Sequence, residues 1–104
     1  MPWIEVSPVE DLPPGEVKLV HAGQISVGVY NLDGEFYAIE DRCSHDNGTL
    51  AEGELDEEQC TVECPRHGSL FDLRTGRPLT LPAYAPVEAF GVRVEDDMIK
   101  LEVE

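Results

Sequence analysis

The sequence predicts an all-β domain of about nine short strands, arranged as an antiparallel sandwich or a partly open barrel. Three observations carry this reading. Apolar and polar residues alternate over several short runs, the two-residue period of a strand with one face buried. No segment of ten or more residues follows the period of about 3.6 that marks an amphipathic helix. Asp33-Gly34 stands between two alternating runs, and that dipeptide is the strongest short-range hairpin signal, because both residues tolerate positive φ.

The elements follow in order. Pro8, Pro13 and Pro14 limit residues 1–15 to a short strand, Trp3 to Val6, and a turn. Glu16 to His21 alternates, with Val17, Leu19 and His21 on one face and Lys18 and Val20 on the other. Gln24 to Tyr30 alternates again through Ile25, Val27 and Val29, and a tight turn at Ala22-Gly23 pairs the two runs. After Asn31-Leu32-Asp33-Gly34, Glu35 to Glu40 forms the return strand, with Phe36 and Ala38 on one face and Tyr37 and Ile39 on the other. It leads directly to Cys43. Residues 46–59 are polar and acidic, with Leu50 and Leu55 as the few anchors, and predict a loop with one helical turn. Cys60 to Glu63 and Leu70 to Leu73 predict short strands. Arg74-Thr75-Gly76 predicts a turn with Gly76 left-handed. Pro78, Pro82 and Pro86 make residues 78–86 an irregular extended segment. Val87 to Val94 and Met98 to Val103 predict a last hairpin around Glu95-Asp96-Asp97.

Composition excludes several function classes. The 104 residues fit one domain spanning residues 1–104. The net charge is -15, from 22 acids against 7 bases. Phosphate-rich nucleic acid and anionic membranes both demand the opposite sign. The surplus either keeps the chain dissolved or steers it toward a basic protein surface. No apolar run approaches the roughly 18 residues needed to span a bilayer. Met1-Pro2-Trp3-Ile4-Glu5 lacks the basic-then-apolar order of a leader, so a cytoplasmic location is expected. Three cysteines, an odd count, argue against a disulfide scaffold and for metal or redox use of thiols.

That use is concentrated in two short segments, Cys43-Ser44-His45 and Cys64-Pro65-Arg66-His67-Gly68-Ser69, with 18 residues between them. Each puts one thiolate and one imidazole on a tight loop at a strand end. Two metal chemistries suit such a set: a single tetrahedral zinc, or a two-iron, two-sulfide cluster with two histidines on one iron. Zinc fingers pair Cys with Cys and His with His along the chain. Here each loop is mixed, Cys then His, twice, which favours the cluster. Gly48 and Gly68 follow the ligands, where backbone amides would approach the sulfides closely. Pro65 stiffens the second loop.

This arrangement resembles the Rieske proteins. Cys43 and His45 match the first half of their motif, and Cys64 and His67 the second. Gly68-Ser69 also matches, and Leu81-Pro82-Ala83 looks like the proline-bearing loop that packs over the cluster in that family. The resemblance covers essentially the whole chain. It implies a Rieske-like β-sandwich with a cluster-binding subdomain of two loops at approximately residues 41–73. It implies one [2Fe-2S] cluster per chain, with the iron ligands Cys43, His45, Cys64 and His67. Gly48, Pro65, Gly68, Ser69, Phe71 and Pro82 would surround them. It implies outer-sphere electron transfer with His45 and His67 at the exposed tip, where a partner docks, and a pH-dependent reduction through their outer ring N–H groups.

Departures from the family narrow the subclass. Respiratory-complex members carry an extra cysteine in each loop, joined as a disulfide, where this chain has Asn47 or Gly48 and Arg66. They also carry a membrane anchor. Their second loop supplies a serine and a tyrosine that hydrogen-bond the cluster sulfurs. This chain keeps Ser69 but has Phe71 at the tyrosine position. Losing one such bond predicts a potential in the lower part of the Rieske range, about -150 to 0 mV. Oxygenase catalytic subunits need two more histidines and a carboxylate for a mononuclear iron. Only His21 remains here, so that active site is excluded. The resemblance therefore implies a small soluble electron carrier and not an enzyme, working between a flavoprotein reductase and a Rieske-type terminal oxygenase. Two alternatives stand beside it: the small Rieske subunit of a nitrite-reductase-like enzyme, and a zinc-stabilised interaction module.

The remaining candidates have plainer readings. Cys60, the odd thiol, is expected to be buried and inert, His21 an ordinary strand residue, and Trp3 a core or edge plug. Arg42 and Arg66 flank the ligands and could meet a partner or a nearby acid. The acids between Glu52 and Glu58 form the densest negative stretch, either a solvated face or a docking patch.

Overall fold

The structure is a computed structural model that describes residues 3–22, 24–42, 50–65, 68–81 and 85–102. Alternation of side chains about an extended backbone produces ten strands among these residues: β1 (Trp3–Pro8), β2 (Val17–Ala22), β3 (Ile25–Leu32), β4 (Glu35–Glu40), β5 (Leu55–Asp56), β6 (Thr61–Glu63), β7 (Leu70–Asp72), β8 (Ala89–Phe90), β9 (Val92–Glu95) and β10 (Met98–Glu102). A single 3₁₀ turn, Val9–Asp11, follows β1. The strands form three antiparallel sheets, ordered β1-β10-β9, β2-β3-β4-β8 and β5-β6-β7.

The four-stranded sheet lies between the other two. Residues 27–32 of β3 are buried without interruption. Val27 and Val29 face one apolar core, with Phe36 and Ala38 of β4, Ile4 and Val6 of β1, and Ile99 and Leu101 of β10. Tyr30 and Leu32 face the other, with Tyr37, Ile39, Leu50, Val62, Cys64, Phe71 and Leu73. Phe36 and Ala38 thus do share one face of β4 and Tyr37 and Ile39 the other, as alternation predicts. The buried amide side chain of this run is satisfied. Asn31 donates through Nδ2 to the Leu12 carbonyl at 2.7 Å and accepts from Gly34 N at 2.8 Å.

The predicted turns hold where dihedral chemistry decides them. Leu32 pairs with Glu35 around Asp33 (φ 54°) and Gly34 (φ 93°), both left-handed as a type I′ turn requires. Gly76 is left-handed at φ 78°. The turn predicted at Ala22-Gly23 is displaced: Ala22 still belongs to β2 and pairs with Ile25, and Gly23 lies outside the described residues.

Other expectations are corrected. Strand β1 runs on to Pro8, because a proline at a strand end loses no needed ladder bond. Residues 50–59 hold turns and the two-residue β5, which pairs with β6, in place of a helical turn. Cys60 precedes its strand: it sits in a turn at φ 58°, and β6 starts at Thr61. Val87 to Val94 is not one strand. Gly91 divides it, so β8 pairs with β4 and β9 with β10 in a different sheet. The last turn contracts to Asp96-Asp97, both left-handed. On β2, Leu19 and His21 face solvent while Val20 and Ala22 pack inward.

Trp3 behaves as an edge plug. It is half-buried under the Arg93 guanidinium, 4.2 Å from the ring centroid. Tyr30 is less economical. It is 1% exposed, and its hydroxyl has no hydrogen-bond partner among the described residues. Burial, with a smaller push from the Asp41 carboxylate, holds its pKa well above the usual phenol value. A phenol kept neutral and unpartnered in an apolar core is worth less than a plain ring. Tyr30→Phe is therefore expected to leave stability unchanged or raise it by about 1 kcal/mol. Urea unfolding followed by circular dichroism reads this, and a loss beyond about 1 kcal/mol would show that the hydroxyl is bonded after all.

Candidate metal centre

The predicted ligands fall in two connections, one between β4 and Leu50 and the other between β6 and β7. The first begins where β4 ends. Asp41 N donates to the Ser26 carbonyl at 2.7 Å, which extends the β3–β4 pairing by one residue. Arg42 turns back onto Glu40, with Nε 3.1 Å from Oε2. This answers the question posed by Arg42: it meets a nearby acid. Cys43, His45 and Gly48 lie in residues 43–49, outside the described residues, as do Asn47, Arg66, His67 and Pro82. The chain re-enters at Leu50, which is fully buried. The Asp41 Oδ1 accepts from both Leu50 N at 2.8 Å and Ala51 N at 2.7 Å, so one carboxylate closes the neck of the loop.

The second loop is described except for residues 66 and 67. β6 delivers Cys64, whose residue is fully buried. Cys64 N donates to the Ser69 carbonyl at 2.7 Å, and Gly68 N donates to the Cys64 carbonyl at 2.9 Å. These two bonds draw Cys64, Gly68 and Ser69 into a closed turn between β6 and β7. Gly68 takes φ 75°, which strains any residue with a Cβ. An added Cβ there would meet nothing nearer than Glu63 Oε1 at 3.9 Å, so the backbone conformation, not crowding, calls for glycine. Ser69 and Phe71 are fully buried and Pro65 is exposed. Phe71 shares the apolar core with Cys64, Leu50 and Val62.

A third segment is tied to the second loop. Pro78 bridges to Phe71, Leu79 N donates to the Leu70 carbonyl at 2.6 Å, and Leu70 N donates to Thr80 Oγ1 at 2.8 Å. This short ladder runs along β7 and hands the chain to Leu81 and then Pro82. The residues leading to the predicted proline segment are thus tied to β7, while Pro82 itself lies outside the described residues.

The described part of the seat fits an iron–sulfur cluster. Cys64 offers a sulfur from a loop closed by backbone bonds, with its residue withdrawn from water in a core that includes Phe71, Val62 and Leu50. Sulfide-bridged iron needs soft sulfur donors and a dry surround, and Cys64 supplies one such donor in an apolar setting.

The family relationship agrees. The family model of the Rieske [2Fe-2S] domain matches residues 2–91, and the chain belongs to that family. Its cofactor is therefore a [2Fe-2S] cluster. Within the family it is of the ferredoxin type, an electron carrier and not the catalytic component. The 3-phenylpropionate/cinnamic acid dioxygenase ferredoxin subunit of Escherichia coli K12 is 43% identical over 100 residues, covering 96% of this chain and 92% of that protein. The ferredoxin of carbazole 1,9a-dioxygenase from Nocardioides aromaticivorans IC177 superposes with a TM-score of 0.95 at 32% identity, covering 100% of both chains. A chain in the complex of reduced oxygenase and oxidized ferredoxin of carbazole 1,9a-dioxygenase gives 0.88 at 34% identity, covering 98% of this chain and 97% of that one. Among the described residues no helix is long and apolar enough to cross a membrane.

Sequence reasoning missed the Asp41 neck. An aspartate two residues before Cys43 carries no metal signal, and its partners lie nine and ten residues further on. Cys60 fits its plain reading. It is 3% exposed, and burial pushes its thiol pKa up against the pull of the Arg74 guanidinium. A protonated, covered thiol does not attack electrophiles. In the iron-loaded protein a water-soluble maleimide is expected to leave Cys60 unmodified until the chain unfolds, and Cys60→Ala to retain full iron. Rapid native labelling at Cys60, located by peptide mass spectrometry, would contradict this.

Proposed function

We propose that this chain passes single electrons from a flavoprotein reductase to a Rieske-type terminal oxygenase, with its cluster held by Cys43, His45, Cys64 and His67. The observation that carries the reading is the near full-length kinship to dioxygenase ferredoxin subunits, together with a second loop that seats Cys64 as a ligand thiolate should be seated. Residues 1–104 act as one Rieske domain, with the ligand-bearing part at about residues 41–73. The work is placed in the cytoplasm, where such a reductase and oxygenase meet.

When bound, the cluster supplies reversible one-electron storage. The chain's residues do the rest. Cys64 is held by the closed turn of Gly68 and Ser69, and Pro65 restricts the approach to that turn. Phe71 and Leu50 exclude water beneath the loop. Gly48 and Pro82 belong to the surrounding shell, and His45 and His67 form the tip that meets each partner in turn. The net charge of -15 favours partners with basic docking faces.

The test is direct. Anaerobic purification should yield a reddish-brown protein with two irons and two sulfides per chain. Reduction should give an EPR signal with an average g below the free-electron value. The cognate reductase and oxygenase should turn over only when the chain is added. A colourless protein holding zinc would end this reading. Copurification with a large sirohaem protein would move the chain to a nitrite-reductase-like complex.

Phe71 supplies a sharper test. Its ring is fully buried beside Cys64, and a para-hydroxyl there would add a donor near the cluster sulfurs. Such a bond favours the more negative, reduced form, so Phe71→Tyr is expected to raise the reduction potential. Protein-film voltammetry that finds it unchanged or lowered would refute this account. Electrostatic docking predicts in addition that turnover falls steeply as salt rises from low to physiological strength and beyond. Turnover indifferent to salt would show that the acidic face serves solubility alone.

A further inference from the structure

We infer that Asp41 and Gly53 are positioning residues that hold the two ligand loops in register with each other, a reading that rests on the proposed four-ligand cluster. The argument follows one run of contacts. Asp41 is pinned to the end of the central sheet by its own amide, 2.7 Å from the Ser26 carbonyl. Its Oδ1 takes the amides of Leu50 and Ala51, at 2.8 and 2.7 Å. Those residues open a tight turn in which Gly53 N donates to the Leu50 carbonyl at 3.0 Å.

The far side of this turn lies flat against β6. An added Cβ at Gly53 would run into the carbonyl oxygen of Glu63. Glu63 N, in turn, donates to the Glu54 carbonyl at 2.9 Å. Glu63 is the residue immediately before Cys64. The neck of the first loop is therefore linked to the root of the second by Asp41, the 50–53 turn, Gly53 and Glu63, with no side chain longer than an aspartate in the linkage.

A cluster bridged by two loops tolerates little change in their separation, because iron–ligand distances are short and stiff. The elements on either side could not set that separation alone. β5 has two residues, and β6 and β7 three each, too few to form a rigid sheet unaided. A carboxylate accepting two amides is a strong, charge-assisted clamp. A glycine pressed on a carbonyl fixes a distance no other residue permits.

The test measures cluster release into a chelator under native conditions, together with the reduction potential. Wild-type protein must first show the cluster; its absence would overturn the proposed function itself, apart from this inference. Asp41→Ala is expected to lose visible absorbance about tenfold faster or more and to shift the potential. Asp41→Asn keeps an oxygen for the two amides and is expected to restore both towards wild type. Gly53→Ala is expected to behave as Asp41→Ala. If it fails to fold, the Asp41 pair decides alone. Ile99→Val loosens the opposite apolar core, away from the linkage and from Cys64, and is expected to leave the release rate unchanged. Wild-type release and potential in Asp41→Ala would overturn the inference. So would equal damage in Asp41→Asn, or equally fast release in Ile99→Val.

Discussion

A sheet that is apolar on both faces must be covered on both, and the rest of this structure answers that requirement. β3 has no solvent side between residues 27 and 32. The sandwich of β1, β9 and β10 covers one face with Ile4, Ile99 and Leu101. The other face needs Leu50, Val62, Phe71 and Leu73, all of which come from the segment bearing the ligand loops. The part that carries the proposed ligands is therefore not an ornament on a finished domain. It is the second cover of the central sheet, and the burial that holds it down is the burial that dries the seat of Cys64. Each large apolar side chain so covered contributes roughly 1.5–3 kcal/mol. Each backbone bond of β5, β6 and β7 supplies less, about 0.5–1.5 kcal/mol net of its competition with water.

How far the sequence foretold this depends on what kind of signal each element carries. Dihedral constraints are local, so Asp33-Gly34 and Gly76 were readable from residue type alone. Alternation is nearly local, so the faces of β4 were readable too. Partner choice is not local. Val87 to Val94 reads as one strand, and only the competition between two sheets shows why Gly91 must break it. β5 was missed because two residues carry no period; its existence depends on what Val62 offers opposite Leu55. The exposure of Leu19 escaped for a related reason, since an edge strand can turn an apolar residue outward at little cost.

The centre divides in the same way. The proposed donors, Cys43, His45, Cys64 and His67, stand out in the sequence by type and spacing, because few chemistries want Cys-then-His twice. The framework that sets the donors was not. Asp41 looks like any acid in a chain with 22 of them, and Gly53 like any loop glycine. Only the structure shows that one closes a loop at both ends and the other lies against the residue preceding Cys64. Residues that bond metal advertise themselves by type; residues that hold those residues advertise themselves only by position.

This division has a consequence for electron transfer. A carrier works fastest when its ligand shell changes little between oxidation states, and that rigidity has to come from the protein around the loops. Here it comes from three sources that do not depend on one another: the Asp41 clamp on the Leu50 and Ala51 amides, the backbone closure between Cys64 and Ser69, and the ladder from Leu70 to Thr80. None of them uses a group that changes charge when the cluster is reduced. The framework is therefore indifferent to the electron it surrounds. The chain can then be strongly acidic over most of its surface while the contacts that shape its centre remain short, buried or backbone-borne. Electrostatics is left to govern which partner arrives, and packing governs what that partner finds.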